Sequence, residues 1–172
     1  MEIEGKKAIV VGGASGFGRA TAEALAKRGA SVAVLDRPQS KGQEVADAIG
    51  GSFFAVDVTD FDGTEKVLEE AVAALGGLHI IVTTAGGGIG ERTIKKDGPH
   101  SLDSFRSTID LNLIGTFNIS RLAAWHMSKE RASTPRPRSA ASSSTPPRSP
   151  RSRARSVRSP TPRPRPRSPA CA

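Results

Sequence analysis

Short apolar runs alternate with amphipathic stretches throughout the first 130 residues, and this alternation restricts the folds that the chain can adopt. Continuous apolar runs of about five residues are typical of strands buried on both faces, and they lie at residues 7–11, 31–35, 52–56 and 78–83. Between them, apolar residues recur at helical spacing and predict helices at residues 16–28, 40–49 and 60–75. Repeated β-α units imply parallel strands with right-handed crossovers, and therefore an α/β fold.

The next part of the chain is less regular. Residues 86–100 are predicted to form a loop, because they combine glycines with mixed charges. Residues 101 to about 129 are predicted to contain one or two helices, because apolar side chains return there at helical spacing.

The composition changes abruptly after Glu130. Residues 131–172 consist almost wholly of Arg, Ser, Pro, Ala and Thr, with eleven Arg and no Lys or acidic residue. The net charge of the chain is +8, so residues 1–130 carry 8 − 11 = −3. The basic character thus belongs to residues 131–172 and not to the surface of the domain. Such a composition cannot bury a core, and we predict a disordered low-complexity tail there.

A glycine-rich turn follows the first predicted strand. Within VVGGASGFGRA, three glycines give the spacing G-x-x-x-G-x-G at the start of a predicted helix. Glycines permit a tight turn and a close approach to a pyrophosphate, and the helix start offers free N–H groups and a positive dipole end. A flexible turn is the alternative interpretation, which the strand–turn–helix context disfavours. The residues predicted to hold the pyrophosphate of a dinucleotide are Gly12, Ser15, Gly16, Phe17 and Gly18.

An acidic residue closes the second predicted strand. Asp36 lies 18 residues after Gly18, where a carboxylate suits the 2′-OH of the adenosine ribose and repels a 2′-phosphate. This position favours NAD over NADP as the cofactor. The neighbouring Arg37 leaves NADP as an open alternative.

These motifs resemble the classical short-chain dehydrogenase/reductase family over residues 6 to about 129. The glycine motif of the family is T-G-x-x-x-G-x-G, and Val11 stands here in place of its Thr. The tetrapeptide Thr83-Thr84-Ala85-Gly86 stands where the family has N-N-A-G, and Asn112 within DLNLIGTFN is similar to the active-site Asn of the family. The stretch KKDGPHSLDSFRSTIDLNLIGTFNISRL is similar to the 3-hydroxyacyl-CoA dehydrogenase type 2 (17β-hydroxysteroid dehydrogenase type 10) subgroup.

The resemblance implies a truncated Rossmann fold with strand order 3-2-1-4 and helices on both faces. It implies an NAD-dependent oxidoreductase for a secondary alcohol or ketone, such as a 3-hydroxyacyl-CoA or a hydroxysteroid, and a homo-oligomer for an intact member. The cofactor contacts that it adds are Asp57 and Val58 at the adenine, and Thr84, Ala85 and Gly86 on the nicotinamide side. Two alternatives stay open: Asp57 as a turn cap, and Asn112 as a helix residue bonded to neighbouring backbone.

The chemistry of the family requires residues that the chain does not contain. In the family, a Tyr phenol exchanges the hydroxyl proton while hydride moves to or from the nicotinamide, a Lys four residues later lowers the phenol pKa, and an upstream Ser holds the substrate oxygen. A free Tyr has a pKa of about 10 and needs such a neighbouring charge. The chain has no Tyr and no Lys after Lys129. Asn112 is therefore expected to be the only catalytic residue present, and we predict an inactive chain.

Two interpretations of the tail remain open. As a genuine segment, its arginines bind nucleic-acid phosphates non-specifically and in a salt-dependent manner, without aromatic residues to stack on bases. In the second interpretation, the tail is the second half of the family translated out of frame. Codons for residues 141–148 can spell V-I-V-N-T-A-S in a shifted reading frame. In that frame, the codons of Thr161 and Arg165 can supply Tyr and Lys at the family spacing. The change of reading frame would then lie between the codons of residues 130 and 138.

Other functional classes have little support. No apolar run approaches the roughly 18 residues of a membrane span, and the start lacks the build of a signal peptide. His79, His100 and His126 lack metal-ligand spacing. We expect a cytoplasmic protein that binds a small-molecule substrate, with no membrane partner and no metal.

Overall fold

A four-stranded parallel sheet forms the centre of the domain. The computed structural model describes the backbone of residues 2–133 and the side chains of residues 2–129. The strands are β1 (Lys7–Val11), β2 (Ser31–Asp36), β3 (Ser52–Ala55) and β4 (Ile80–Thr83), in the order β3-β2-β1-β4. This confirms the predicted parallel sheet and its strand order. The predicted tail lies outside the described residues from residue 134 onward.

Helices connect successive strands, as the alternating pattern predicts. They are α1 (Gly16–Lys27), α2 (Gly42–Ile49) and α3 (Phe61–Leu75). The start of α3 is fixed by Asp60, whose side chain accepts a hydrogen bond of 3.1 Å from the backbone N–H of Gly63. An N-cap of this kind satisfies one of the N–H groups that the first helical turn leaves without a partner.

The core lies on both faces of the sheet, because successive strand residues point in opposite directions. One face carries Ile9, Val11, Ala33 and Leu35, which pack against α3 and the last described helix. The other face carries Ala8, Val10, Val32 and Val34, which pack against α1 and α2. Both sets are buried, which accounts for the continuous apolar runs in the sequence.

The segment after β4 differs from the prediction of a plain loop at residues 86–100. It contains a two-stranded antiparallel hairpin, β5 (Ile94–Lys95) and β6 (Gly98–Pro99). An ion pair of 3.2 Å between Lys95 and Glu91 braces this hairpin, and Lys95 is the main cause that lowers the pKa of the Glu91 carboxyl. Such short strands carry too few residues for an alternating pattern to show in the sequence.

A continuous helical run completes the described chain. It comprises α4 (Leu102–Ile109), a π-helical turn (Asp110–Ile114) and α5 (Gly115–Ser133). The prediction of one or two helices after residue 101 is therefore confirmed, and the π turn is new. Among the described residues, no helix is long and apolar enough to cross a membrane.

Candidate functional site

A cleft of about 380 Å³ opens at the carboxyl ends of β1, β2 and β4. In open α/β sheets this edge is the usual place for ligands, and the volume falls within the range of small-molecule sites. The lining residues are Val11, Gly12, Ser15, Asp36, Arg37, Val56, Asp57, Val58, Thr84, Ala85, Gly86, Gly87 and Leu111. Eight of the predicted site residues are among them: Gly12, Ser15, Asp36, Asp57, Val58, Thr84, Ala85 and Gly86. Their contacts with a cofactor stay predictions.

The glycine-rich turn connects the end of β1 to the start of α1 beside this cleft. Ser15 has an extended backbone (φ −152°, ψ 169°) at the N-cap position, and its side chain makes no cap hydrogen bond. The first turn of α1 contains no acidic residue. No acidic residue of α1 itself therefore offsets the positive dipole end of this helix, which suits an anionic ligand such as a pyrophosphate.

Two of the glycines are required by the space available to them. A Cβ atom on Gly18 would lie well inside 3.0 Å of the Gly12 carbonyl oxygen. At Gly12 the backbone is left-handed (φ 80°), and a Cβ atom there would lie 2.6 Å from the backbone nitrogen of Ala85. Only glycine permits the turn, the helix start and the end of β4 to approach this closely.

Asp36 lies at the end of β2, and its carboxylate contacts the glycine-rich turn. One oxygen, Oδ2, accepts a hydrogen bond of 2.9 Å from the N–H of Ala14, and Oδ1 accepts one of 2.7 Å from the N–H of Arg37. A carboxylate has about four acceptor sites, so capacity remains for ligand hydroxyls. Asp36 thus braces the turn in addition to lining the cleft.

The carboxylate of Asp57 lies at the exposed rim of the cleft. Its Oδ1 accepts hydrogen bonds from the N–H of Thr59 at 2.9 Å and from the Thr59 hydroxyl at 2.7 Å. The two bonds from Thr59, with a smaller contribution from the positive charge of Arg37, lower the pKa of the Asp57 carboxyl. Asp57 therefore caps the turn through one of its oxygens, Oδ1, and it also lines the cleft.

Asn112 occupies the π-helical turn and is bonded to the segment that follows β4. Its Oδ1 accepts a hydrogen bond of 3.1 Å from the N–H of Gly87, and its Nδ2 donates to the carbonyls of Gly87 at 2.6 Å and Thr108 at 2.8 Å. These bonds match the alternative interpretation, in which Asn112 is a helix residue bonded to neighbouring backbone. Asn112 fixes a lining residue of the cleft without lining the cleft itself.

The remaining predicted residues lie beside the cleft. Gly16 begins α1, Gly18 packs on Gly12, and the Phe17 side chain is 89% exposed to solvent. Sequence reasoning did not assign five lining residues to the site, although each directly precedes or follows a residue that it did assign: Val11, Arg37, Val56, Gly87 and Leu111. No cluster of three or more His, Cys, Asp or Glu side chains suited to a metal ion occurs among the residues that the structure describes.

The parallel sheet, the glycine turn after β1 and the acid at the end of β2 define the class of Rossmann-type domains. A comparison with family models narrows this class. The model of the short chain dehydrogenase family matches residues 6–134, and the chain belongs to that family.

Among curated relatives, 3-hydroxyacyl-CoA dehydrogenase type-2 of Drosophila melanogaster is 44% identical over 126 residues, covering 71% of this chain and 49% of the relative. The human protein of the same name is 39% identical over 129 residues, covering 73% of this chain and 49% of the relative. A 2,5-dichloro-2,5-cyclohexadiene-1,4-diol dehydrogenase of Sphingobium indicum is 36% identical over 122 residues, covering 67% and 46%. The chain spans about half the length of these relatives.

A solved structure with the same arrangement supports the fold. The crystal structure described as ribose-5-phosphate isomerase from Brucella melitensis 16M superposes with a TM-score of 0.66 at 29% sequence identity. The match covers 74% of this chain and 48% of that one. Again, the similarity extends over about half of the other protein.

Proposed function

We propose that the described domain binds NAD as the cofactor-binding half of a dehydrogenase. The observation that carries this proposal is the position of the Asp36 carboxylate, which lines the same cleft as Gly12 and Ser15. A pyrophosphate at the start of α1 and an adenosine ribose at Asp36 would then bind in one cleft. The carboxylate favours NAD, because the 2′-phosphate of NADP would meet a negative charge there.

The other lining residues divide the cleft between the two ends of the cofactor. Asp57 and Val58 follow β3 and are proposed to contact the adenine, whereas Thr84, Ala85 and Gly86 follow β4 and are proposed to face the nicotinamide side. Bound NAD would supply the hydride acceptor. Asn112 would hold Gly87 and so keep the nicotinamide side in place.

The substrate class that we propose is a secondary alcohol or ketone of small-molecule size, such as a 3-hydroxyacyl-CoA or a hydroxysteroid. The names of the curated relatives from Drosophila melanogaster and Homo sapiens support this class. For a longer version with both halves of the fold we propose a homo-oligomer in the cytoplasm.

We propose that the 172-residue chain itself has negligible dehydrogenase activity. Its sequence has no Tyr to exchange the hydroxyl proton of the substrate. Loss of a general acid/base alone lowers the rate by about 10²- to 10⁴-fold. Measurable turnover of a 3-hydroxyacyl-CoA or of a steroid alcohol by the purified chain would contradict this proposal.

Cofactor binding tests the central proposal directly. Titration of the chain with NADH and with NADPH, followed by nicotinamide fluorescence, is expected to give tighter binding of NADH. The variant Asp36→Asn is the discriminating test, because it removes the charge that disfavours the 2′-phosphate but keeps an oxygen that can accept from the N–H of Ala14, and it should reduce the preference. Equal affinity of the parent chain for both cofactors would exclude the assigned role of Asp36.

We propose that residues 131–172 are an out-of-frame translation of the second half of the family. The support is the joint recovery of Ser, Tyr and Lys codons at family spacing within residues 147–165. Sequencing the gene and the transcript across codons 130–165 tests this proposal. Codons that cannot spell those three residues in the shifted frame would refute it.

A second candidate function rests on the eleven arginines of the tail. If cells make this segment, it would bind RNA or DNA through phosphates, and the affinity would fall steeply with salt. A salt-dependent gel shift that disappears on deletion of residues 131–172 would support this candidate, together with detection of tail peptides by mass spectrometry.

A further inference from the structure

The hydroxyl group of Thr84 lies between the end of β1 and the glycine-rich turn. Its Oγ1 is 3.0 Å from the carbonyl oxygen of Val11 and 3.2 Å from that of Gly12. A hydroxyl has one hydrogen to donate, so it is shared between these two carbonyls. The backbone N–H of Thr84 donates to the Val11 carbonyl as well, at 2.8 Å.

The same oxygen atom packs against both glycines that the turn requires. A Cβ atom on Gly18 would lie 2.5 Å from Thr84 Oγ1, and one on Gly12 would lie 2.8 Å from it. The hydroxyl therefore occupies the space that these glycines leave open. It joins three elements at one point, namely the ends of β1 and β4 and the first turn of α1.

We propose that Thr84 is a positioning residue whose hydroxyl sets the geometry of the glycine-rich turn through the carbonyls of Val11 and Gly12. Through those carbonyls it orients the N–H groups at the start of α1 toward a bound pyrophosphate. Val11 has no side-chain hydroxyl, so the side-chain hydrogen bond that joins the ends of β1 and β4 comes from Thr84. The inference rests on the proposed NAD site, and it gives Thr84 a second role, as a support of the glycine-rich turn, beside its proposed place on the nicotinamide side.

Three variants of the 172-residue chain separate this role from a general effect on stability. Thr84→Val keeps the shape and removes the hydroxyl, and Thr84→Ser keeps the hydroxyl. Ser120→Ala is the control for loss of a hydroxyl, because the Ser120 hydroxyl donates to a carbonyl of its own helix α5, that of Thr116, at 2.8 Å.

The first measurement is the affinity for NADH by fluorescence titration. We expect Thr84→Val to weaken binding by about five- to tenfold, Thr84→Ser to restore it to within about twofold of the parent, and Ser120→Ala to leave it unchanged. Binding by Thr84→Val that equals the parent's would overturn the proposal.

The second measurement needs no ligand. Amide hydrogen exchange at residues 12–18 is expected to be at least about fivefold faster in Thr84→Val than in the parent, with β3 unchanged. Faster exchange across the whole sheet would assign Thr84 to general stability and overturn the proposal, as would unchanged exchange in the turn. If the parent chain does not bind NADH, the proposed function fails, and the exchange result still decides the role of Thr84.

Discussion

Among single residues, Gly18 is the position where the site tolerates least change. The variant Gly18→Ala would place a Cβ atom against the Gly12 carbonyl oxygen, which belongs to the backbone and cannot rotate away. Alanine normally stabilises a helix relative to glycine, but here we expect the free energy of unfolding to fall by about 1–3 kcal/mol. Urea denaturation measures this change, and NADH titration is expected to show loss of binding.

Gly90→Ala provides the control for Gly18→Ala. A Cβ atom on Gly90 would have no neighbour within 4 Å, so its effect is expected to stay within about 0.5 kcal/mol. Equal stability of the two variants would show that the turn adapts to a larger residue.

A second prediction at this scale concerns Asp57 and pH. The variant Thr59→Val removes the hydroxyl bond that is the main cause of the lowered Asp57 pKa, so the pKa is expected to rise toward the ordinary value of 3.8. Because the folded pKa is depressed, the carboxylate stabilises the fold above pH 3.8 and loses this contribution as the pH falls through the folded pKa. The contribution is small, since the group is largely solvated.

A carbon-detected NMR titration of the Asp57 carboxyl measures this shift. Thr21→Val serves as the control, because the Thr21 hydroxyl bonds within α1, to the carbonyl of Phe17. An unchanged Asp57 pKa in Thr59→Val would assign the depression to the backbone N–H of Thr59 and to Arg37.

At the scale of elements, the π-helical turn connects the last helical run to the cleft. Asn112→Ala removes three hydrogen bonds. Two of them join Asn112 to the N–H and the carbonyl of Gly87, and the third joins it to the carbonyl of Thr108. We expect faster amide exchange at Gly87 with little change in β1. Ser107→Ala is the control, because its hydroxyl bonds only to a carbonyl of α4, that of Asp103. Equal exchange at Gly87 in both variants would contradict the role assigned to Asn112.

The sequence predicted most elements because their patterns are local. Apolar runs fix the strands, and the acid after β2 is readable from its distance to Gly18. The π turn was not predictable, since a single wide turn inside a helix has no residue pattern of its own. The bonds from Asp36 to Ala14 and from Thr84 to Gly12 were not predictable either. They join residues 22 and 72 positions apart and depend on how neighbouring strands align.

For the whole molecule, the helical run after residue 101 exposes an apolar face. Phe105, Leu113 and Phe117 lie on it at helical spacing, and the last two are 61% and 66% exposed. Exposed apolar patches of this kind favour association. We expect the chain to self-associate with rising concentration, as measured by sedimentation velocity.

The double variant Leu113→Glu with Phe117→Glu is expected to shift the chain toward monomer. Ile94→Glu is the control, because it removes a comparably exposed apolar side chain from the β5–β6 hairpin. If Ile94→Glu dispersed the chain equally well, the association would not depend on the helical face.

The parallel order of the sheet also affects when the glycine-rich turn takes its shape during synthesis. β1 pairs with β2 across 24 residues, as at Lys7 and Ser31, but its other neighbour, β4, is 72 residues away, as at Val11 and Thr83. Contacts of such long sequence separation form late. At about 5–20 residues per second, a ribosome needs several seconds to reach Thr84 after it has made Gly12. The glycine-rich turn, the first motif of the candidate site to be translated, is therefore expected to be among the last parts of the domain to reach its final conformation.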